Sequence, residues 1–221
     1  MKIKSVYQKL NKKYGHQGWW PLSKNSLHSK HHNGPPRNNR DRFEIIVGAI
    51  LTQNTSWKNV EKAIYNLNKA KVLDSEKIRK IDVNKLAKLI LHAGYYNQKA
   101  ATMKRMADFF LKNKNPTRQQ LLAVKGIGPE TADSILLYAY EHPVFVIDAY
   151  TKRIFSRLGE CDENCKYGEL QEIFMGMPKD VEVFKQYHAL IVEHAKKKCS
   201  KTPLCESCCL NSQCRKFKNR D

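Results

Sequence analysis

Residues 121–157 read LLAVKGIGPETADSILLYAYEHPVFVIDAYTKRIFSR, and two glycines two positions apart limit what this stretch can become. Gly126 and Gly128 permit a turn that residues bearing a Cβ resist, and Thr117 is a good N-cap for a short helix over 118–124 before it. Pro129 suits a first helical turn. Ala132, Ile135, Leu136 and Ala139 then recur at i, i+3, i+4 and i+7, so a second helix with one apolar face follows at once. The spacing predicts a helix-hairpin-helix.

Amides near Gly126, Gly128 and the start of the second helix point outward at the positive end of a helix dipole, which suits a phosphate. Lys125, just before the turn, adds a cation. Such contacts set register on a nucleic acid without reading its bases. A plain helix-to-helix connection explains the same glycines, and the hairpin alone leaves both readings open. An apolar run then delivers Asp148, at a position where an aspartate commonly caps a helix.

The charge balance narrows the partner. Lys and Arg number 40 against 21 Asp and Glu, a formal charge of +19, more than solubility needs and suited to a polyanion. DNA, RNA and ribosomes all qualify. No apolar run approaches the length of a membrane span and no signal-peptide core is present, so a cytoplasmic protein working at the nucleoid is expected, with no membrane partner.

Upstream, helical periodicity recurs without a convincing strand. Residues 4–14 form a short amphipathic helix with Gly15 as its stop. Asp41 begins a helix with Phe43, Ile46, Val47, Ile50 and Leu51 inward. Ser56 caps one with Val60, Ala63, Ile64 and Leu67 inward, which leaves Gln53 and Asn54 on an exposed connection. Asp82 caps another that ends at Gly94, and a helix through Met103, Met106, Ala107 and Phe110 carries Lys99, Lys104 and Arg105 on its other sides. A further helix spans about 181–197, with His188 inward and a basic end at 196–198. His28, His31 and His32 read as solvated loop, since no cysteine or acid stands at ligand spacing. The fold class is all-α.

Five of the seven cysteines crowd into the last 23 residues, which argues for metal rather than disulfides. Cys199, Cys205, Cys208 and Cys214 give C-x5-C-x2-C-x5-C, a set that suits zinc or an iron–sulfur cluster equally by its chemistry. Cys209 is a spare thiol beside Cys208, and Cys161 with Cys165 lacks a second pair nearby.

K-G-I-G-P-E-T-A-D followed by V-I-D-A-Y-T-K-R, with L-T-Q-N-T at 51–55 and G-Y-Y-N-Q-K-A at 94–100, resembles the helix-hairpin-helix DNA glycosylases related to endonuclease III. The resemblance implies a two-lobed fold with a DNA-sized cleft: a six-helix barrel domain over 33–142, and an iron–sulfur cluster domain made of 1–32 with 143–221. It implies that Asp148 is catalytic, and that Gln53, beside Asn54, fills the hole left by an extruded base. It implies DNA contacts at Lys125, Gly126 and Gly128, and a [4Fe-4S] cluster on Cys199, Cys205, Cys208 and Cys214. The family pattern there is C-x6-C-x2-C-x5-C, one residue longer in the first gap.

Bifunctional members carry a lysine two residues after the second hairpin glycine. Glu130 stands there in this chain, and a carboxylate cannot form a Schiff base. With Trp-Trp-Pro at 19–21, this resembles the monofunctional 3-methyladenine branch and implies a base pocket of Trp19, Trp20, Trp57, Glu130 and Lys196. Indole faces suit a cationic alkylated purine, although Trp19 and Trp20 equally suit a core. The implied protein is a monomer that flips and hydrolyses damaged bases in double-stranded DNA. The alternatives are a thymine or uracil glycosylase acting opposite guanine, an endonuclease III-like lyase, and a DNA-binding module without catalysis.

Overall fold

The computed structural model describes residues 2–23, 26–31 and 34–218. Among these the regular structure is helical throughout, apart from one isolated antiparallel bridge between Leu22 and Lys30. His32 and the expected boundary residue Asn33 lie outside the described residues. The chain divides into two compact units, Met1–Trp19 with Pro143–Asp221, and Trp20–His142. No described helix is long and apolar enough to cross a membrane.

The first unit opens with α1 (Lys2–Tyr14), which buries Ile3, Val6 and Leu10 and stops at Gly15, whose φ of +67° is a left-handed value.

The second unit is built around α2 (Asn39–Leu51), buried on nearly every side from Phe43 onward. The helix begins two residues before the expected Asp41, because the Asn38 side chain caps it by accepting the Asp41 amide. Burying its Phe43, Ile46, Val47 and Ile50 side chains contributes about 1.5–3 kcal/mol each. Next come α3 (Trp57–Lys69), α4 (Ser75–Lys80) and α5 (Val83–Leu89), followed by a 3-10 turn over Leu91–Ala93. The sequence reading missed α4, whose single buried residue, Ile78, leaves no periodicity to detect. Ser56 occupies the N-cap of α3 without making the side-chain hydrogen bond expected of it.

The longer α6 (Tyr96–Lys112) leads to α7 (Arg118–Leu122), which starts in a reciprocal capping box between Thr117 and Gln120. Then α8 (Pro129–Ser134) continues into a π-type turn over Ile135–Ala139. The predicted helix-hairpin-helix is α7 and α8.

Back in the first unit, α9 (Ala149–Leu158), α10 (Tyr167–Met175), α11 (Val181–Lys197) and α12 (Arg215–Lys218) complete the chain. The sequence reading also missed α10. An aromatic core binds these helices: Phe145 stacks on Phe174 at 3.9 Å, and Phe155, Phe184 and Tyr187 meet them edge-on. The Tyr187 hydroxyl donates to the Ile3 carbonyl at 2.8 Å, which ties α11 to α1.

Candidate functional site

The hairpin of the second unit is held from beneath by α6. Gly126 has φ +99°, and a Cβ built there would lie 2.3 Å from the Thr102 hydroxyl, so glycine is required both by conformation and by space. Arg105 Nε donates to the Lys125 carbonyl at 2.9 Å, and its guanidinium also donates to Thr102 Oγ1. Gly128 differs. Its backbone is extended, with φ −96° and ψ 178°, and a Cβ there would meet nothing within 4 Å. Neither packing nor conformation within the chain demands glycine at 128.

The Ile127 amide turns back to the Val124 carbonyl, while the amides of Gly126 and Gly128 have no hydrogen-bond partner among the described residues. Both glycines and Lys125 are exposed, so two amides and a cation are presented to solvent where α8 begins. Glu130 is exposed in the first turn of α8.

Gln53 belongs to the same face. Its Nε2 donates to the Gly126 carbonyl at 3.3 Å and to Thr131 Oγ1 at 3.1 Å, while Asn54 beside it is exposed in a left-handed conformation, φ +52°. Lys99, expected on an outer side of α6, is instead buried. Its Nζ donates to the carbonyls of Leu51, Gln53 and Ala93 at 2.7–2.8 Å. Three carbonyl acceptors, one for each ammonium proton, offset the cost of burying it. Burial pulls its pKa down to about 8, which still leaves an ammonium at neutral pH. Lys99 thus anchors the backbone that carries Gln53. Tyr95, 66% exposed at φ +47° just before α6, is a further aromatic on the surface of this unit that the sequence reading did not single out.

The first unit holds the acidic candidate. Asp148 is the N-cap of α9, and its Oδ1 accepts the amide and the hydroxyl of Thr151, each at 2.7 Å. Its Oδ2 lies 3.7 Å from His188 Nε2, an ion-pair rather than a hydrogen-bond separation, with side-chain exposures of only 12% and 6%. Burial works to raise the Asp148 pKa, but His188 and the two Thr151 hydrogen bonds outweigh it and hold the carboxyl below its ordinary value. A recessed, ionised carboxylate results. Trp19 is half-buried on the far side of His188, its ring edge-on to that imidazole at 6.1 Å and under Lys196 Nζ at 6.0 Å.

The five pocket candidates therefore divide between the units: Trp19 and Lys196 in the first, Trp20, Trp57 and Glu130 in the second. Trp20 is 5% exposed. Its indole covers Gly48, where a Cβ would come within 2.9 Å, and it packs on Trp57 and Tyr138, so it is a core residue of its unit. Trp57 is half-buried and donates from Nε1 to Glu61 at 3.0 Å.

The C-terminal cysteines lie in the first unit, where Cys199, Cys205, Cys208 and Cys214 line one small cavity with Arg157 and Phe217. Among the described residues no three metal-binding side chains meet at the spacing a single ion requires. Arg157 donates to Cys199 Sγ at 3.3 Å and to the carbonyls of Ser200 and Lys201, and the Leu210 amide points at Cys208 Sγ at 3.4 Å. Cys209 does not line the cavity. Cys161 and Cys165 are free thiols, and burial, with the Cys165 thiol nearby, pushes the Cys161 pKa up to about 12.

Residues 47–179 match the family model for HhH-GPD superfamily base excision DNA repair proteins. A Methanocaldococcus jannaschii protein, provisionally named a DNA repair glycosylase, is 46% identical, and the match covers 96% of this chain and 95% of that one. Among solved structures, the H. pylori 3-methyladenine DNA glycosylase bound to 1,N6-ethenoadenine superposes with a TM-score of 0.69 at 30% identity, over 92% of this chain and 96% of that one. An endonuclease III–DNA complex superposes with a TM-score of 0.81 at 21% identity, over 99% and 96% of the two chains, which speaks for the fold.

Proposed function

The chain belongs to the HhH-GPD superfamily of base excision DNA repair proteins and is a DNA glycosylase; within that family we propose that it is monofunctional and excises alkylated purines such as 3-methyladenine from duplex DNA. The observation that carries this reading is Asp148, a recessed carboxylate held ionised between Thr151 and His188.

Cleavage of a glycosidic bond inside a duplex requires the nucleotide to leave the stack, hence a phosphate anchor, a filler for the vacated space and a pocket for the base. The amides of Gly126 and Gly128 with Lys125 serve as the anchor. Open space at Gly128 supports this, because a side chain there would displace an approaching phosphate. Gln53, beside Asn54 and tethered through Lys99, fills the vacated space.

Asp148 stabilises the oxocarbenium-like sugar and orients or deprotonates the attacking water. A base that is already cationic needs little acid assistance to depart, and Trp19 offers it an indole face. Trp57, Glu130 and Lys196 are assigned to base recognition, and Trp20 supports Trp57 from the core. Glu130 offers no amine for an imine, so strand cleavage by a covalent route is not expected there. The similarity to the H. pylori 3-methyladenine DNA glycosylase, at 30% identity, supports the same substrate class.

The cysteine loop fits a [4Fe-4S] cluster held by Cys199, Cys205, Cys208 and Cys214. The four cysteines line a shared cavity, and N–H donors aim at two of their sulfurs. When bound, such a cluster cross-links the loop. Lys201, Arg215 and Lys216 stand on or beside it as phosphate contacts.

The deciding experiment compares duplex oligonucleotides carrying one 3-methyladenine, G·T or G·U, with hot alkali to reveal abasic sites. Release of 3-methyladenine without nicking before alkali supports the proposal. Release confined to a mismatched pyrimidine would replace it with a thymine or uracil glycosylase. A borohydride-trapped adduct would reveal a lyase whose nucleophile is another lysine, Lys125 being the first to test.

A further inference from the structure

His194 is 1% exposed on α11, five residues before Cys199. Three of its atoms are engaged by the cysteine loop or by α1. Its carbonyl accepts the amides of Lys198 and Cys199 at 2.8 and 2.9 Å, Nε2 lies 3.5 Å from Cys208 Sγ, and Nδ1 lies 3.0 Å from the Tyr14 hydroxyl. A cysteine bound to iron is a thiolate, which accepts hydrogen bonds and cannot donate them. Nε2 must then carry the proton. In a neutral imidazole Nδ1 is left as an acceptor, and the Tyr14 hydroxyl is the donor that satisfies it.

We propose that His194 is a positioning residue for the cluster, donating from Nε2–H to the Cys208 thiolate while Tyr14 fixes its tautomer. The proposal rests on the reading of the cysteine loop as a [4Fe-4S] site. Cys208 then receives two donors, His194 and the Leu210 amide, where Cys199 receives Arg157. Donors to a cluster sulfur stabilise the more negative, reduced state, so this contact sets the reduction potential as well as the orientation of the ligand.

The test is voltammetry of the purified holoprotein, with iron per chain measured on the same samples. H194F should shift the reduction potential to a more negative value. H194Q, which keeps an N–H donor, should restore part of the shift, and Y14F should give a smaller shift of the same sign. C209S should leave the potential where it was. Wild-type potentials in iron-loaded H194F and Y14F would overturn the proposal while leaving the cluster reading intact. Wild-type protein without iron would overturn the cluster reading and this proposal with it. If H194F does not fold, Y14F and H194Q decide: a negative shift in Y14F supports the relay, and wild-type values in both overturn it.

Discussion

Thr151 reaches the same oxygen of Asp148 twice, with its amide and its hydroxyl each 2.7 Å from Oδ1, which leaves Oδ2 turned toward His188. The bond that caps α9 is therefore the bond that aims the carboxylate, so on the proposed mechanism helix capping and catalysis make one demand on this position. Asparagine caps a helix about as well as aspartate. D148N should accordingly keep the α9 cap, losing from the unfolding free energy only what the ionised carboxylate adds at neutral pH, and should bind DNA nearly as well, yet lose excision. Excision by a well-folded D148N at the wild-type rate would remove Asp148 from the mechanism.

The Thr151 hydroxyl also lowers the Asp148 pKa. A depressed carboxyl contributes stability above its unfolded pKa of about 3.9 and loses it as pH falls through the folded pKa. T151V removes one of the two hydrogen bonds and should raise the pKa, moving the acid limb of the single-turnover excision rate to higher pH. An unmoved acid limb would mean that a different group controls it.

The two hairpin glycines should respond oppositely. G126A combines a left-handed φ with a Cβ 2.3 Å from Thr102, at a cost of roughly 1–3 kcal/mol or more on thermal unfolding. G128A meets nothing within the protein, so its melting temperature should stay close to wild type while duplex DNA affinity falls. Unchanged affinity in G128A would count against a phosphate at this turn.

K99M strands the carbonyls of Leu51, Gln53 and Ala93 and should destabilise the protein by about 3 kcal/mol, judged by denaturant midpoint. Excision should fall further than that loss of folded protein accounts for, because the backbone carrying Gln53 is released.

Affinity for undamaged duplex should decline steeply with salt, since even five phosphate contacts give a log–log slope of about −4.5. A flat response, measured by fluorescence anisotropy across a salt series, would assign the charge of +19 to another partner.

Much of this molecule is written in short-range patterns. Thr117 with Gln120, Pro129 after Gly128, Asp148 before Ala149, and Gly15 and Gly94 at helix ends each act through partners within a few positions, and periodicity alone marks α2, α3 and α11. The sequence by itself thus determined an all-helical chain, its hairpin and the cap that presents Asp148. Short or weakly periodic helices, α4 and α10, escaped for want of a signal.

Only the tertiary structure decided the rest. It buried Lys99 under carbonyls that lie up to 48 residues away, enclosed Trp20 over Gly48 while leaving Trp19 half-exposed, and brought His188 to Asp148 and His194 to Cys208. A polar or aromatic side chain can be buried only where distant groups satisfy or enclose it. Those partners are neighbours in space and have no fixed spacing along the chain.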